Sequence, residues 1–523
     1  MSLMSEFFCM SSAPNGLQFV RSASSSKIST SAIGRDIIAA ALEAANPDAA
    51  QVARQEHNWR KTYPKHFKAL VHSGLQNSEA AVRIAEAGLA QAHQHCEFFR
   101  DGQAVSFQDM LQLDASALFT YTLKGSSDAA PEWYVPYRGQ KLKGDALLAQ
   151  IATWETQGII EPSHAFALRE AVAHPEWFDL SDRYMVLFGA ASEAGPLTWL
   201  AKWKANIIAV DLNHDRVWNK ILNTVLQGNA TLYAPSLNAI DAQASIRTLA
   251  ETLGTNLLTH VPEIAQWLMQ FEEDLDLAAI AYLDGEKHVR VSLAMDAIMS
   301  HVSQQKPKTS LMYMCTPTDV YAVPENVIQA IQEKSQTRSK LKTTLSNSIA
   351  KISAQHFFQD NELALIEHQG KSYGISDCLV IEQGPNYALA KRLQQWRATL
   401  ARQNGQRVSI NIAPSTTTHS VTKNPLLKAA FNGAKLFDVE AFDPSTTNAL
   451  MAALWIYDLR HPESVANPEV QLNHPLELMM QGANHGGLWR VPYLARTALP
   501  FAALYGFVND NPASNLLKKI TKR

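Results

Sequence analysis

Gly189-Ala-Ala-Ser-Glu-Ala-Gly195 is a glycine-bracketed turn whose flanks give it a binding chemistry. It follows Tyr184-Met-Val-Leu-Phe188, a short apolar run of the kind that a buried parallel strand shows. Pro196 fits the first position of a helix, where a missing N–H costs nothing, and that helix carries Leu197, Leu200 and Trp203. Asn206-Ile-Ile-Ala-Val210 reads as a second buried strand and ends in Asp211. Strand, glycine turn, helix, strand and acid, in that order, make a dinucleotide-binding unit. Gly189 permits the tight turn, and Gly195 lets helix and strand approach closely. The helix start at Ser192–Pro196 offers unpaired N–H groups and a positive dipole end to a pyrophosphate. Asp211 lies 22 residues after Gly189, where a carboxylate can accept hydrogen bonds from ribose hydroxyls. It would repel a 2′-phosphate, so NAD is expected in preference to NADP.

A second group stands much later. Asn386-Tyr387-Ala-Leu-Ala-Lys391 opens a helix and sets Tyr387 and Lys391 one turn apart on one face. A chain with 14 tyrosines contains about one Tyr-x-x-x-Lys by chance, so a buried tyrosine beside a snorkelling lysine is the bland alternative. Arg407-Val-Ser-Ile-Asn-Ile-Ala-Pro414 then reads as a strand that ends in Ala-Pro, with Ser415–Thr418 behind it. Taken with the glycine turn, this order resembles the short-chain dehydrogenases/reductases, and the chain looks like a long, divergent member of that superfamily. The resemblance covers roughly residues 182–323 and 384–420.

The resemblance implies roles at matching positions. Tyr387 would exchange a proton with the substrate oxygen. Lys391 would lower the tyrosine pKa and hold the cofactor ribose. Thr316, at the end of the strand before the Tyr387 helix, would polarise the substrate, with Thr318 as second choice. Pro414 and Thr416 would meet the nicotinamide end of NAD. Three departures stand against the family pattern. Glu193 occupies the middle of the glycine turn, where an acid is unfavourable unless it turns outward to cap its own helix. The fourth strand ends in Tyr282-Leu-Asp-Gly285, and an insertion stretches the path to Tyr387.

The elements that must position these groups follow from periodicity. Apolar runs alternate with helical patterns: Leu277–Leu283, a helix over Val289–Val302, then Ser310–Cys315. That alternation predicts an α/β protein with a doubly wound parallel sheet, Rossmann-like. Residues 1–34 read as a leader without a packed structure, and 35–180 as a mainly helical N-terminal domain, helical throughout 35–115. The dinucleotide-binding domain is expected over 181–440, with an insertion at 324–384 containing a basic helix-like stretch, Gln332–Lys351. Both ends of the insertion adjoin the expected site, which places it at the mouth. Residues 441–523 read as a helical, substrate-covering region. Its Trp489, Tyr493, Phe501, Tyr505 and Phe507 suit either a lipophilic pocket or a core. Gln481–Gly487, with His485 and Arg490, reads as a loop near a ligand or as a polar turn.

Composition bounds the rest. The 523 residues carry 46 Lys plus Arg and 49 Asp plus Glu, a net charge of −3, which argues against a nucleic-acid partner bound by phosphate neutralisation. No run of ~18 uncharged apolar residues exists, so no spanning helix is expected. Four scattered cysteines without a CxxC pair suggest free thiols and no metal site. Residues 7–34 lack acids and are rich in serine. A cytoplasmic protein is expected, with an organelle-targeting leader as the alternative. The expected activity is NAD(P)(H)-dependent interconversion of an alcohol and a carbonyl on a small-molecule substrate, with a lipophilic substrate among the expectations. A homo-oligomer is compatible with the chain. An NAD-retaining lyase or epimerase and a nucleotide-binding protein without turnover are the alternatives.

Overall fold

The computed structural model describes residues 15–20, 28–337, 348–353 and 356–510. Its centre is a seven-stranded sheet: β1 (Phe119–Lys124), β2 (Tyr184–Phe188), β3 (Asn206–Val210), β4 (Thr231–Ser236), β5 (Leu275–Ala279), β6 (Ser310–Cys315) and β7 (Val408–Ile412). The order across it is β7-β6-β5-β2-β3-β4-β1. Strands β2 to β7 run parallel, and β1 pairs antiparallel with β4 at the edge. From β2 the chain winds outward through β3 and β4, then returns to β5 on the other side and winds outward again. This mixed α/β arrangement is consistent with a Rossmann-like fold.

Both faces of the sheet are covered, which is why its strands read as continuous apolar runs. Val186 and Phe188 enter one core, and Met185 and Leu187 enter the other. Helices Glu286–Gln305 and Pro385–Gln403 cover the first face, and Thr30–Glu43 and Ser78–Gln94 pack on them in turn. Helix Glu286–Gln305 is therefore buried on nearly every side, where a single apolar stripe over Val289–Val302 was expected. Gly144–Thr156, Pro162–Ala173, Asp215–Leu226 and Pro444–Arg460 cover the second face.

Several boundaries differ from the sequence reading. The N-terminal helices stop at Gln94. Cys96–Arg100 and Gln103–Ser106 form a hairpin, with Gly16–Phe19 as its third strand. Asp101 and Gly102 supply the two positive φ angles of its turn, 53° and 82°, the Asp-Gly signal of a tight hairpin. The expected leader thus contributes a strand, and the expected N-terminal domain contributes β1 to the central sheet, so residue 180 is not a boundary in that sheet. Strand β5 ends at Ala279, short of the expected Leu283, because the turn at Gly189 crosses its path: a Cβ on Gly189 would stand 2.6 Å from the Ala281 Cα. The insertion begins earlier than expected, with Val320–Pro324 pairing antiparallel to Lys371–Asp377 and with Ile366–His368 beyond it. Of the basic stretch Gln332–Lys351, residues 338–347 lie outside the described residues. Among the described residues, no helix is long and apolar enough to cross a membrane.

Two late helices, Pro425–Gly433 and Ala495–Asp510, touch backbone to backbone. A Cβ on Gly433 would overlap the carbonyl oxygen of Ala502, and one on Gly506 would overlap that of Ala429. Gly433→Ala should therefore force the pair apart and lower stability by ~1–3 kcal/mol, as overpacking does. Urea unfolding measures this, and an unchanged midpoint would contradict the close packing.

Candidate active site

A cavity of about 760 Å³ opens over the carboxyl ends of the parallel strands, where open α/β sheets bind ligands. The residues that leave five of the six parallel strands line it: Gly189 after β2, Asp211 after β3, Ile280 after β5, Thr316 after β6 and Ala413 after β7. Helix Pro385–Gln403 closes the inner side with Tyr387 and Lys391. Ser192, Thr318, Pro414 and Thr416 also border this space. Of the expected site residues only Gly195 does not. It packs behind the turn, where a Cβ would stand 3.0 Å from the Ile280 Cδ1.

At the glycine turn, Gly189 has φ +88°, a left-handed conformation that a side chain would strain. Asp211 holds the turn: its Oδ2 accepts from the Ala191 N–H at 2.8 Å and its Oδ1 from the Leu212 N–H at 2.8 Å. Burial pushes the Asp211 carboxyl up, and those two N–H groups pull the other way. The Thr255 N–H donates to the Asp211 carbonyl at 2.9 Å, while the buried Thr255 hydroxyl has no hydrogen-bond partner and borders the cavity.

The expected phosphate-binding helix is a single turn, Leu197–Leu200, followed by turns to Lys204, whose φ of 56° ends the element. One turn sums almost no macrodipole, so the expected dipole contribution is absent. Glu193 does not cap that helix. Its Oε2 reaches across the mouth and accepts from the His419 N–H at 2.8 Å.

At the other end, Tyr387 sits in the first turn of its helix and shares the cavity wall with Thr316. Burial pushes its phenol up to about 12, against the pull of Thr316. The lowering expected from Lys391 is not found. The Lys391 Nζ donates to the Met314 carbonyl at 2.8 Å and to Gln394 Oε1 at 3.2 Å, and burial lowers its own pKa. One of its three N–H groups remains for a ligand. Thr316 Oγ1 lies 2.8 Å from Thr318 Oγ1, and Thr318 donates to Gln383 Oε1 at 2.7 Å. Thr416 donates to the Pro414 carbonyl at 2.8 Å, so its proton is committed inside the protein.

Three features escaped the sequence reading. Gln383, at the end of the insertion, borders the cavity together with Val380 and Glu382. His288 is buried, its ring stacked 5.4 Å from Tyr387 at 22°, and neither ring nitrogen has a hydrogen-bond partner. Burial first, and the Lys391 charge second, hold its imidazole neutral. Below the site Asp319 is fully buried, accepting from Arg392 at 3.0 Å and Gln395 at 2.9 Å. No spacing rule marks any of the three, because each gains its role from elements distant in sequence.

Two alternatives left open for the C-terminal region are decided. None of Trp489, Tyr493, Phe501, Tyr505 and Phe507 borders the cavity. Trp489 and Tyr493 are core, and Tyr505 and Phe507 are exposed. The apolar wall comes from Val421, Leu427 and Phe431. Loop Gln481–Gly487 does not border the cavity either. His485 donates from Nε2 to buried Glu161 at 2.8 Å and accepts the Gly487 N–H on Nδ1 at 3.0 Å, with Arg490 on the same carboxylate. The polar-turn reading holds there, as a buried ion cluster behind the end of β7.

No family model matches the chain, and no curated protein matches it. Among solved structures, the chain is similar to the terminal R domain from the myxalamid PKS-NRPS biosynthetic pathway. The TM-score is 0.29 and the identity 13%, over 58% of this chain and 68% of that one. A likeness at that level carries no argument about this protein.

His288 offers a test of the site that needs no ligand. His288→Phe keeps an aromatic ring against Tyr387 and removes two buried, unpartnered nitrogens. Thermal unfolding should be unchanged or shifted upward by ~1 kcal/mol of added stability, since buried unsatisfied polar atoms cost free energy. A large loss would mean that the imidazole has a partner in solution.

Proposed function

We propose that this protein is a nicotinamide-dependent oxidoreductase that interconverts an alcohol and a carbonyl. The observation that carries this reading is the meeting of two groups in one cavity. The glycine turn with Asp211 and the Tyr387–Lys391 helix, nearly 200 residues apart, border the same space. Its volume of about 760 Å³ suits a cofactor and substrate together, within the usual ~300–1,000 Å³ of ligand pockets.

The residues present fit such a cofactor. Gly189 leaves room where a side chain would strain the turn, the unpartnered Thr255 hydroxyl offers a hydrogen bond, and Asp211 retains lone pairs for ribose hydroxyls. A bound nicotinamide would supply or take up the hydride. Tyr387 gives its phenolic proton to the substrate oxygen during reduction and takes one during oxidation. Lys391, with one N–H left over, binds the ribose, and Pro414 and Thr416 wall the nicotinamide end. Val421, Leu427 and Phe431 suit a substrate with an apolar body. Asp211 favours NAD over NADP, because its carboxylate repels a 2′-phosphate.

A second reading, nucleotide binding without turnover, is favoured by one specific observation: the phosphate-binding turn ends in a one-turn helix and carries an acid. Absorbance at the nicotinamide band, with NADH and a panel of straight-chain aldehydes and ketones, separates the two readings.

Tyr387→Phe should reduce turnover by ~10²–10⁴-fold while cofactor affinity survives. Lys391→Met should weaken NADH binding as well, and undiminished binding would make the pair core structure. Glu193→Gln keeps an acceptor for the His419 N–H and removes the charge. Calorimetric titration should show NADH binding about two- to fivefold tighter in that variant, the size of a helix-end charge effect. NADPH should bind more weakly than NADH to both proteins, and the reverse order would refute the role given to Asp211.

A further inference from the structure

Helix Ala495–Asp510 turns apolar side chains to solvent. Its Ala502, Ala503 and Gly506 pack inward on Pro425–Gly433. Leu504 and Phe507 therefore come round to the outside, 61% and 50% exposed, with Tyr505 exposed beside them. The outer face of a surface helix ordinarily carries charged or polar residues. The pair runs antiparallel, since Gly433 meets Ala502 and Gly506 meets Ala429. Leu426, just before Ala429, is thus brought beside the last turn of Ala495–Asp510, and it is exposed too.

The same element is basic. Residues 419–437 contain Lys423, Lys428 and Lys435 and no Asp or Glu, in a chain whose net charge is −3. Residues 495–508 contain Arg496 and no Asp or Glu, and Arg496 is bonded inward to Asp377. The three lysines are exposed and form no ion pair among the described residues. The next acids along the chain, Asp438 and Glu440, are turned to Lys334 and Arg138. The face adjoins the cavity, because Lys423, Leu427 and Phe431 border that space.

We propose that this two-helix face docks on the surface of an anionic lipid bilayer, lying on it and not crossing it. Leu426, Leu504, Tyr505 and Phe507 enter the boundary between headgroups and acyl chains. The lysines lay their aliphatic stems along that boundary and keep their ammonium groups at the anionic headgroups. A second copy of the chain is the poorer occupant. A two-fold contact sets the face against itself, so Lys428 and Lys435 would meet their own counterparts with no acid between them. Once docked, the chain holds the Leu427–Phe431 rim of the cavity at the lipid, and an apolar substrate dissolved there enters without crossing water. That last step rests on reading the cavity as a substrate site; the docking does not.

Co-sedimentation of the full chain with vesicles tests the docking. The protein should pellet with an equal mixture of phosphatidylcholine and phosphatidylserine and stay in solution with phosphatidylcholine alone. Salt at about 1 M, where the screening length falls to ~3 Å, should release it. Lys428→Gln with Lys435→Gln should weaken binding about 25-fold, roughly fivefold for each basic residue at an anionic surface. Leu504→Gln with Phe507→Gln should weaken it about tenfold, the effect of withholding part of two apolar side chains. All four positions are exposed, so both variants should keep the wild-type circular dichroism. Tyr387→Phe should pellet as wild type does, which separates this test from the fate of the oxidoreductase reading. Failure to pellet with phosphatidylserine overturns the proposal, as does undiminished pelleting of both double variants. A dimer in analytical ultracentrifugation that both double variants dissolve would give the face to a second copy instead.

Discussion

The buried carboxylate of Asp319 sets the distance between the two halves of the catalytic end. It follows β6 by four residues, and its oxygens accept from Arg392 and Gln395, which belong to the helix that carries Tyr387 and Lys391. Its own backbone carbonyl accepts the Cys378 N–H, tying in the strand on which the insertion returns. One residue thus joins the strand-end loop with Thr316 and Thr318, the helix, and the insertion that ends in Gln383. Removing one partner of such a buried pair costs ~3–5 kcal/mol, because the remaining charge is left without compensation. The loop could not keep its threonines within 2.8 Å of each other if this joint were loose.

The two ends of the cavity are built on different terms. The catalytic end is over-determined: its hydroxyls, its lysine and its buried carboxylate each have fixed partners. The nucleotide end is sparse. A single turn of helix replaces the usual dipole, Asp211 spends two lone pairs on its own turn, and Glu193 bonds across the mouth to His419. A pyrophosphate would have to be held by backbone N–H groups against a nearby negative charge. A nucleotide bound here, as proposed, would be recognised through its ribose and base more than through its phosphates.

Much of this was legible in the chain, and the reasons for the rest are physical. Strands β2, β3 and β6 announced themselves because a parallel strand covered on both faces must be apolar throughout. That Tyr387, Lys391, Thr316 and the glycine turn come to one cavity was legible from motif order and from the resemblance, because each lies within a few residues of the strand or helix end that presents it. Asp101-Gly102 did carry a hairpin signal, and the helical periodicity before it masked that signal. The length of a helix is harder to read: Leu197, Leu200 and Trp203 have helical spacing, but the backbone turns over at Lys204. His288 and Gln383 had no signal at all. A histidine without partners and a glutamine that orients hydroxyls look, in sequence, like any others. The aromatic residues near the C-terminus misled for the opposite reason, since apolar character marks core, surface and pocket alike.

The backbone contact between Pro425–Gly433 and Ala495–Asp510 has a mechanical consequence. Where helices meet through side chains, rotamer changes let one slide against the other. These two meet through main chain at Gly433 and Gly506, where no side chain can yield. They must translate as one plate, carrying Leu427 and Phe431 with them. A bulkier guest would then be admitted by tilting the whole plate about the segment that joins Pro414 to Asn424, and the cavity would change its width in a single step rather than residue by residue.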